Sequence, residues 1–313
     1  MRLFIIPALL ATTATAQADV PRVAVDIAQL HGLVSEVMDG VGKPDLVIPQ
    51  GASPHGYAMR PSEARALSSA DLVVWVGPGL TPWLTEPLET LAGDAQHLSV
   101  MALEGTGLIP VRRNAAFEAH DHAHGLDDHG HADHDDGHKE HDDDVKHADN
   151  DDHGHDDHAD HDDHGHEKEA DHDDHGHAEH ADEDTAAEID PHVWLDPRNA
   201  SLWVAEFADT LSAMDPENAE TYRANASKAQ AELETLEKEI SAKLDGYASN
   251  SFIVFHDSYH YFEARFNVEA RAAITFSDAS AASAAQLSEV REVVTDSNAA
   301  CALTEPGANQ GLV

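Results

Sequence analysis

The chain has 313 residues, and its 18 Lys and Arg residues against 60 Asp and Glu residues give a formal net charge of −42. So acidic a protein repels nucleic-acid phosphates and anionic membrane surfaces, which argues against both as partners. The acidity is concentrated in residues 118–188, which hold 29 of the 60 acidic residues and 19 of the 25 histidines. The sequence therefore combines an ordinary acidic globular protein with a histidine–aspartate tract inserted into it.

The first 18 residues have the pattern of an export signal. Met1-Arg2 is a short basic start, residues 3–10 are apolar but too few to cross a bilayer, and residues 16–18 form an A-x-A cleavage pattern. We therefore predict a signal peptide over residues 1–18, a mature protein that begins at Asp19, and a location in a bacterial periplasm. No later stretch approaches the roughly 20 apolar residues of a membrane span, so we expect no direct membrane insertion.

Strands and helices alternate through the first part of the mature chain. Short apolar runs predict strands at residues 22–25, 45–49, 71–76 and 97–101. The segments between them predict helices at residues 28–40, 61–70 and 82–91. Such alternation is typical of βαβ units that build a parallel sheet covered by helices. We assign these elements to an N-terminal lobe over residues 19–214, with the tract as an insertion in it.

The tract at residues 118–188 has the composition of a disordered segment. Its large apolar residues are one Leu and one Val, too few to offset the entropy of an ordered chain. The sequence Asp-His-Gly-His recurs at residues 128–131, 152–155, 163–166 and 174–177. Imidazoles and carboxylates suit borderline divalent ions, zinc above all, so we predict many weak, rapidly exchanging metal sites. A solvated acidic spacer is the alternative.

The elements after the tract predict a long helix and a smaller second lobe. Pro197 opens a helix to about Met214, and a further helix over residues 216–244 has no internal Gly or Pro. If unbroken, it spans about 43 Å, enough to link two lobes, and we assign residues 215–246 as this linker. The C-terminal lobe, residues 247–313, is predicted to contain strands at 252–255, 268–275 and 300–304 and helices at 257–266 and 283–295.

Three histidines outside the tract stand where a defined metal site can form. His55 follows the strand at 45–49 in a Gly/Pro-rich loop, and His256 ends the strand at 252–255. Both occupy carboxyl ends of strands, where ligands of open α/β sheets gather. His192 lies in a proline-stiffened segment where the chain leaves the tract. Three neutral imidazoles with a water or carboxylate form a tetrahedral zinc site, although a single histidine is more often structural.

The other candidate residues point to structural roles. We interpret His31, His97 and His260 as structural, although His260 lies four residues after His256. The residues at 256–258 have the types of a nucleophile triad, but adjacent residues cannot face one another as a triad requires. The sequence contains no HExxH, no phosphate-binding glycine loop and no G-x-S-x-G motif. We therefore predict that the protein is not an enzyme.

Several motifs together make the chain similar to a known family. It resembles the zinc-binding periplasmic components of ABC transporters, the ZnuA family, from about Arg22 to its end. The inserted tract is part of this resemblance. The other matching motifs are PQGASPHGY at residues 49–57, DLVVWVG at 71–77, HVWLDP at 192–197, FHDSYHYF at 255–262 and CALTEP at 301–306.

The resemblance implies a fold, a ligand and a partner. The implied fold is α/β, with two Rossmann-like lobes of parallel sheets joined by a long rigid linker helix. One Zn²⁺ would lie in the cleft, with His55, His192 and His256 as its imidazole ligands by motif match. The implied partner is an inner-membrane ABC permease, and we expect a monomer. Because the family continues for several tens of residues, the second lobe would be truncated, without a cleft-facing Asp and the disulfide partner of Cys301.

The predicted function is capture of Zn²⁺ in the periplasm and its delivery to the permease. Two alternatives are a zinc buffer or metallochaperone without a transporter partner, and a manganese or iron carrier on the same fold. Manganese and iron relatives tend to carry a carboxylate at the position of His256, and an imidazole there favours zinc. Because imidazole binds metal only when deprotonated, capture is expected to weaken as the pH falls through about 6.5.

Overall fold

The computed structural model describes residues 19–117, 188–276, 281–305 and 311. The predicted signal peptide and residues 118–187 of the tract lie outside this part of the chain, so what we expect of them stays a prediction. The described residues before and after the tract belong to one compact unit. In this described part, no helix is both long and apolar enough to cross a membrane.

A four-stranded parallel sheet forms the centre of the N-terminal lobe. Its strands, in the spatial order β2-β1-β3-β4, are β1 Val23–Val25, β2 Asp45–Leu46, β3 Leu72–Trp75 and β4 Gln96–Ser99. Every residue of the central strands β1 and β3 is buried, as expected for parallel strands covered on both faces. The prediction of a parallel sheet of alternating strands and helices is therefore confirmed here.

Four helices of the N-terminal lobe pack with this sheet into the main hydrophobic core. They are α1 Ala28–Val37, α2 Pro61–Ser68, α3 Thr85–Leu91 and α4 Pro197–Met214. Prolines begin α2 and α4, where the missing backbone N–H has no partner to lose. The Asp196 carboxylate caps α4 by accepting from the backbone N–H of Arg198. These local signals explain why the limits predicted for α4 agree with the structure.

The long helix α5, Ala219–Leu244, begins after a 3-10 turn at Pro216–Asn218. Its 26 residues span about 39 Å at 1.5 Å per residue. The first half packs against α1 and α4 and buries Tyr222, Ala226 and Ala229, whereas most of the second half is exposed. The helix is thus anchored on the N-terminal lobe and runs beyond it.

The C-terminal lobe contains a second parallel sheet with the spatial order β6-β5-β7. Its elements are β5 Ser251–His256, α6 His260–Phe266, β6 Glu269–Thr275, α7 Ala284–Ser297 and β7 Cys301–Leu303. The buried apolar residues of this lobe form two small clusters instead of one large core. Together the two sheets confirm the α/β class with parallel strands.

The predicted start of α6 is wrong, and Cys301 has no disulfide partner in the sequence. The helix begins at His260 and not at residue 257, because Asp257 still belongs to the sheet edge, where its backbone N–H donates to the Thr275 carbonyl. Cys301 is an exposed free thiol. Since the sequence has no second cysteine, the disulfide implied by the family resemblance does not form within this chain.

Candidate metal centre

Three histidine side chains from distant parts of the chain converge on one point. Ligand atoms of His55, His192 and His256 all lie within 4.8 Å of one another, and among the described residues no other such group of His, Cys, Asp or Glu side chains occurs. The Nε2 atoms of His55 and His192 are 3.3 Å apart. Two ligand nitrogens at about 2.0–2.1 Å from a tetrahedral zinc ion are separated by about 3.4 Å, so the spacing fits a shared ion.

Each histidine is placed by the end of a different element. His55 lies in the loop between β2 and α2, His192 precedes the 3-10 turn Val193–Leu195 that leads into α4, and His256 is the last residue of β5. The structure therefore brings together the three residues that we predict as ligands. His55 follows the end of β2 and His256 ends β5, so the backbone turns at both places and the two side chains can face each other.

His192 is oriented by the carboxylate of Asp190. Its side chain is buried, its Nδ1 lies 2.7 Å from Asp190 Oδ1, and its backbone N–H donates to the same oxygen at 2.9 Å. Because a carboxylate oxygen can only accept, Nδ1 carries the proton, and the lone pair of Nε2 faces His55 Nε2. Such carboxylate–histidine pairs fix the ring and raise its basicity towards a metal.

His256 is followed directly by a buried ion-pair network. The Arg112 guanidinium donates to both carboxylate oxygens of Asp257, and to Glu263 at 2.8 and 2.9 Å. It also lies 3.8 Å above the ring centre of Phe117. The side chains of Arg112, Asp257 and Glu263 are all less than 10 % exposed, so the network fixes the backbone at the carboxyl end of β5.

Burial and charge act in opposite directions on this network. Burial alone would lower the pKa of Arg112, but the hydrogen bonds and charges of Glu263 and Asp257 outweigh it and raise the pKa further above its ordinary value. Burial raises the pKa of the Asp257 carboxyl, and Arg112 opposes that rise. A buried ion pair is stable only when every charge has close partners, and Arg112 supplies them here.

His55 has a more open environment than the other two histidines. It is half-buried, whereas His192 and His256 are buried. The loop is tied down on both sides of it: the Trp83 indole donates to the Pro54 carbonyl at 2.8 Å, and the Tyr57 hydroxyl donates to the Glu63 carboxylate at 2.8 and 2.9 Å. His55 is therefore positioned by contacts of its loop.

The remaining described histidines lie outside the cluster. His31 Nε2 is 3.1 Å from the Pro44 carbonyl, and His97 Nε2 is 2.8 Å from the Ala92 carbonyl, as suits the structural interpretation of both. His260 begins α6, and burial lowers its pKa. None of the three has a ligand atom in the group formed by His55, His192 and His256.

Sequence reasoning missed the residues that support the three histidines. Asp190 could have been found, because a carboxylate two positions before a candidate ligand is a local signal. Arg112 could not, since its partners are 145 and 151 residues away and outside any sequence window. An all-nitrogen donor set of three imidazoles suits reversible binding of a borderline divalent cation.

Comparisons with known proteins give a consistent result. The family profile described as ZnuA, zinc-uptake complex component A, periplasmic, matches residues 23–313. The chain is 39% identical over 310 residues to the high-affinity zinc uptake system protein ZnuA of Paracoccus denitrificans, covering 99% of this chain and 83% of the relative. It is 37% identical over 291 residues to the protein of the same name from Brucella abortus, covering 93% and 78%.

The fold has solved counterparts. A structure titled "Crystal structure of ZnuA" superposes with a TM-score of 0.64 at 19% sequence identity, covering 94% of this chain and 86% of the other. A zinc-bound variant of AdcAII from Streptococcus pneumoniae gives a TM-score of 0.61 at 20% identity, covering 91% and 81%. At these identities the structures establish a shared fold.

Proposed function

The chain belongs to the ZnuA family, and from that membership we propose that it is a periplasmic zinc-binding protein that captures Zn²⁺ and delivers it to an inner-membrane ABC permease. The family is one of transport proteins and not of enzymes. Zinc is the cargo in this function. The observation that carries the proposal within the molecule is the convergence of three imidazoles from three distant segments.

We assign the zinc ligands to His55, His192 and His256. The 3.3 Å separation of two Nε2 atoms supports the assignment, as does the Asp190 contact that leaves Nε2 of His192 as the donor. The all-imidazole donor set supports zinc over manganese, because hard oxygen ligands suit manganese better, and the ZnuA relatives support zinc over iron. The carrier of manganese or iron therefore ranks behind the zinc carrier.

The predictions for the rest of the chain are part of the same proposal. Residues 1–18 would be removed on export, and residues 215–246 would link lobes at residues 19–214 and 247–313 in a monomer. The tract at 118–188 would raise the local zinc concentration and pass the metal to the three histidines. Its many imidazoles and carboxylates would form weak sites that exchange metal fast.

A chelator-competition titration of the full chain tests the ligand assignment. We expect one tight zinc equivalent that is lost in His55→Ala, His192→Ala and His256→Ala, while the weak sites of the tract are outcompeted by the chelator in every variant. His97→Ala is the matched control, because it removes a described histidine outside the cluster. The same number of tight zinc equivalents in the wild type, the three cluster variants and the control would contradict the assignment.

A release assay separates the carrier from a zinc buffer. Zinc-loaded protein is mixed with its purified permease in vesicles, and the rate of zinc loss is compared with that in empty vesicles. A carrier should release zinc faster in the presence of the permease. An unchanged rate would favour a buffer or metallochaperone without a transporter partner.

A further inference from the structure

A buried tyrosine joins the two lobes next to the histidine cluster. Tyr261 lies on α6 of the C-terminal lobe, yet its ring is 2% exposed and belongs to the main core of the N-terminal lobe. Its hydroxyl accepts from the backbone N–H of Ile109 at 3.0 Å and donates to the backbone carbonyl of Asp190 at 2.9 Å. One oxygen atom thus bonds two separate segments of the N-terminal lobe.

These two segments are paired with each other. Asp190 donates its backbone N–H to the Ile109 carbonyl, and Val111 donates its own to the Glu188 carbonyl, each at 2.9 Å. An antiparallel bridge between residues 110 and 189 lies between these bonds. We call this pair, residues 109–111 and 188–190, the neck, because the chain runs from the first segment towards the tract and returns through the second. The Tyr261 hydroxyl closes the end of this neck and ties it to α6.

The Tyr261 hydroxyl thus connects the two backbone segments that carry the proposed zinc ligands His192 and His256. Asp190 lies two residues before His192 and holds its ring through Oδ1, while Tyr261 lies five residues after His256. The neck strand that bonds Tyr261 continues to Arg112, which binds Asp257 next to His256. The backbone carrying His192 and the backbone carrying His256 are therefore joined through the Tyr261 hydroxyl and the Arg112 network.

We propose that Tyr261 is a positioning residue for zinc, whose hydroxyl fixes the separation of the His192 and His256 imidazoles and so sets the preference for zinc over larger divalent cations. The inference rests on the proposed function. Zinc binds nitrogen at about 2.0–2.1 Å in tetrahedral geometry, and imidazoles held in that arrangement suit poorly an ion such as Mn²⁺, which prefers octahedral oxygen ligands. Without the hydroxyl, the two segments are no longer held in this arrangement, and zinc loses more affinity than an ion that does not require tetrahedral ligands.

The environment of the hydroxyl suits this role. Burial raises the pKa of Tyr261 above its ordinary value, so the group stays protonated and continues to donate to Asp190. Phe can replace the ring in the same core position, so Tyr261→Phe removes two hydrogen bonds and little packing. Tyr222 offers a matched control, because it is fully buried in the same core and its hydroxyl donates to Asp215 at 2.9 Å inside the linker segment.

The experiment compares wild type, Tyr261→Phe and Tyr222→Phe as full chains, each titrated with Zn²⁺ and with Mn²⁺ against chelators that outcompete the tract. We expect Tyr261→Phe to lower zinc affinity by about 10-fold or more, in the range typical of residues that orient metal ligands. The ratio of zinc to manganese affinity should fall by a similar factor. Tyr222→Phe should leave that ratio unchanged, and thermal unfolding without metal reports what each substitution costs in stability.

The ratio separates positioning from stability. A partly unfolded population lowers the apparent affinities for both metals by the same factor, and their ratio stays constant. A Tyr261→Phe protein with a wild-type ratio, or with the same ratio change as Tyr222→Phe, overturns the inference while the proposed function stands. A wild-type chain without a tight zinc equivalent overturns the proposed function, and the inference with it.

Discussion

The two sides of the histidine cluster are built differently. On one side, which we call the fixed side, His192 and His256 are 4% and 5% exposed. The backbone segments that carry them are joined by the contacts of Asp190, Tyr261 and Arg112. On the other, the loop side, the half-buried His55 stands on the surface loop between β2 and α2.

From this contrast we infer that the fixed side sets the affinity for zinc and that the loop side sets its rate of exchange. Imidazoles held before the metal arrives lose little freedom on binding, so we expect the fixed side to provide most of the affinity and selectivity. Loops open locally at a lower free-energy cost than buried cores. We therefore expect zinc to enter and leave by displacement of His55.

The largest expected effect concerns the ion pairs of the fixed side. Arg112→Met should lower the free energy of unfolding by about 3–5 kcal/mol, because it leaves the buried Asp257 and Glu263 carboxylates without their cation. Arg22→Met is the control, since it breaks an exposed pair with Asp71 that solvent screens, and it should lower stability far less. Denaturant unfolding measures both. Similar losses in the two variants would show that the fixed side is not held by its buried charges.

The second prediction concerns the base of the loop side. Asp26 is fully buried, and its carboxylate accepts from the Val76 N–H. Its carbonyl accepts from the N–H of Ile48, at the start of the loop that carries His55. Burial raises the pKa of Asp26 to about 7. Between pH 5 and 7 the folded chain thus binds more protons at this carboxyl than the unfolded chain, whose carboxyl titrates near 4, and stability falls as pH rises.

This contribution should amount to about 2 kcal/mol between pH 5 and 7. Asp26→Asn removes the titration, so its free energy of unfolding should fall less steeply with pH than that of wild type, whatever its absolute stability. Urea unfolding at pH 5, 6 and 7 gives both slopes. Parallel slopes would mean that the carboxyl is already ionised at pH 5 and that the base of the loop is insensitive to pH.

The third prediction addresses the ligand orientation on the fixed side. Asp190→Asn keeps the shape of the side chain but removes the negative charge beside His192 Nδ1. We expect zinc affinity to fall by about 10-fold, at the low end for such supporting residues, because the amide oxygen can still accept from Nδ1. Glu63→Gln is the comparison on the loop side and should change zinc affinity less. A larger effect of Glu63→Gln would reverse the roles of the two sides.

Much of this site could be predicted from the sequence because its signals are local. The ends of apolar strands at residues 45–49 and 252–255 place His55 and His256 at carboxyl edges of parallel sheets, and the prolines around His192 indicate a rigid segment. The start of α4 follows from Asp196 and the proline after it. Each of these inferences needs only a short stretch of chain.

The contacts between the lobes could not be predicted in this way. Tyr261 bonds Ile109 across 152 residues, and no periodicity or turn signal links two positions so far apart. The start of α6 was misplaced for the same reason, since Asp257 is held out of the helix by the distant Thr275 and Arg112. Local patterns predict which groups can bind metal, and long-range packing decides how firmly each is held.

The smallest expected effect tests the loop side directly. Trp83→Phe removes the indole N–H that donates to the Pro54 carbonyl, next to His55, and keeps an aromatic ring near Tyr57. One hydrogen bond contributes about 1 kcal/mol, which corresponds to about 5-fold in zinc affinity. Because a looser loop opens more often, the loss should come from faster zinc release, measured by stopped-flow mixing with a chelator.

Trp203→Phe is the matched control for this last substitution, because the Trp203 indole donates to Thr106 and not to the loop. Its zinc release rate should equal that of wild type, even if its core position makes it less stable. Faster release in Trp83→Phe alone would place the exchange step at His55. Equal release in both variants would mean that the Trp83 contact does not hold the loop, and the difference between the two sides would then rest on the burial of His192 and His256.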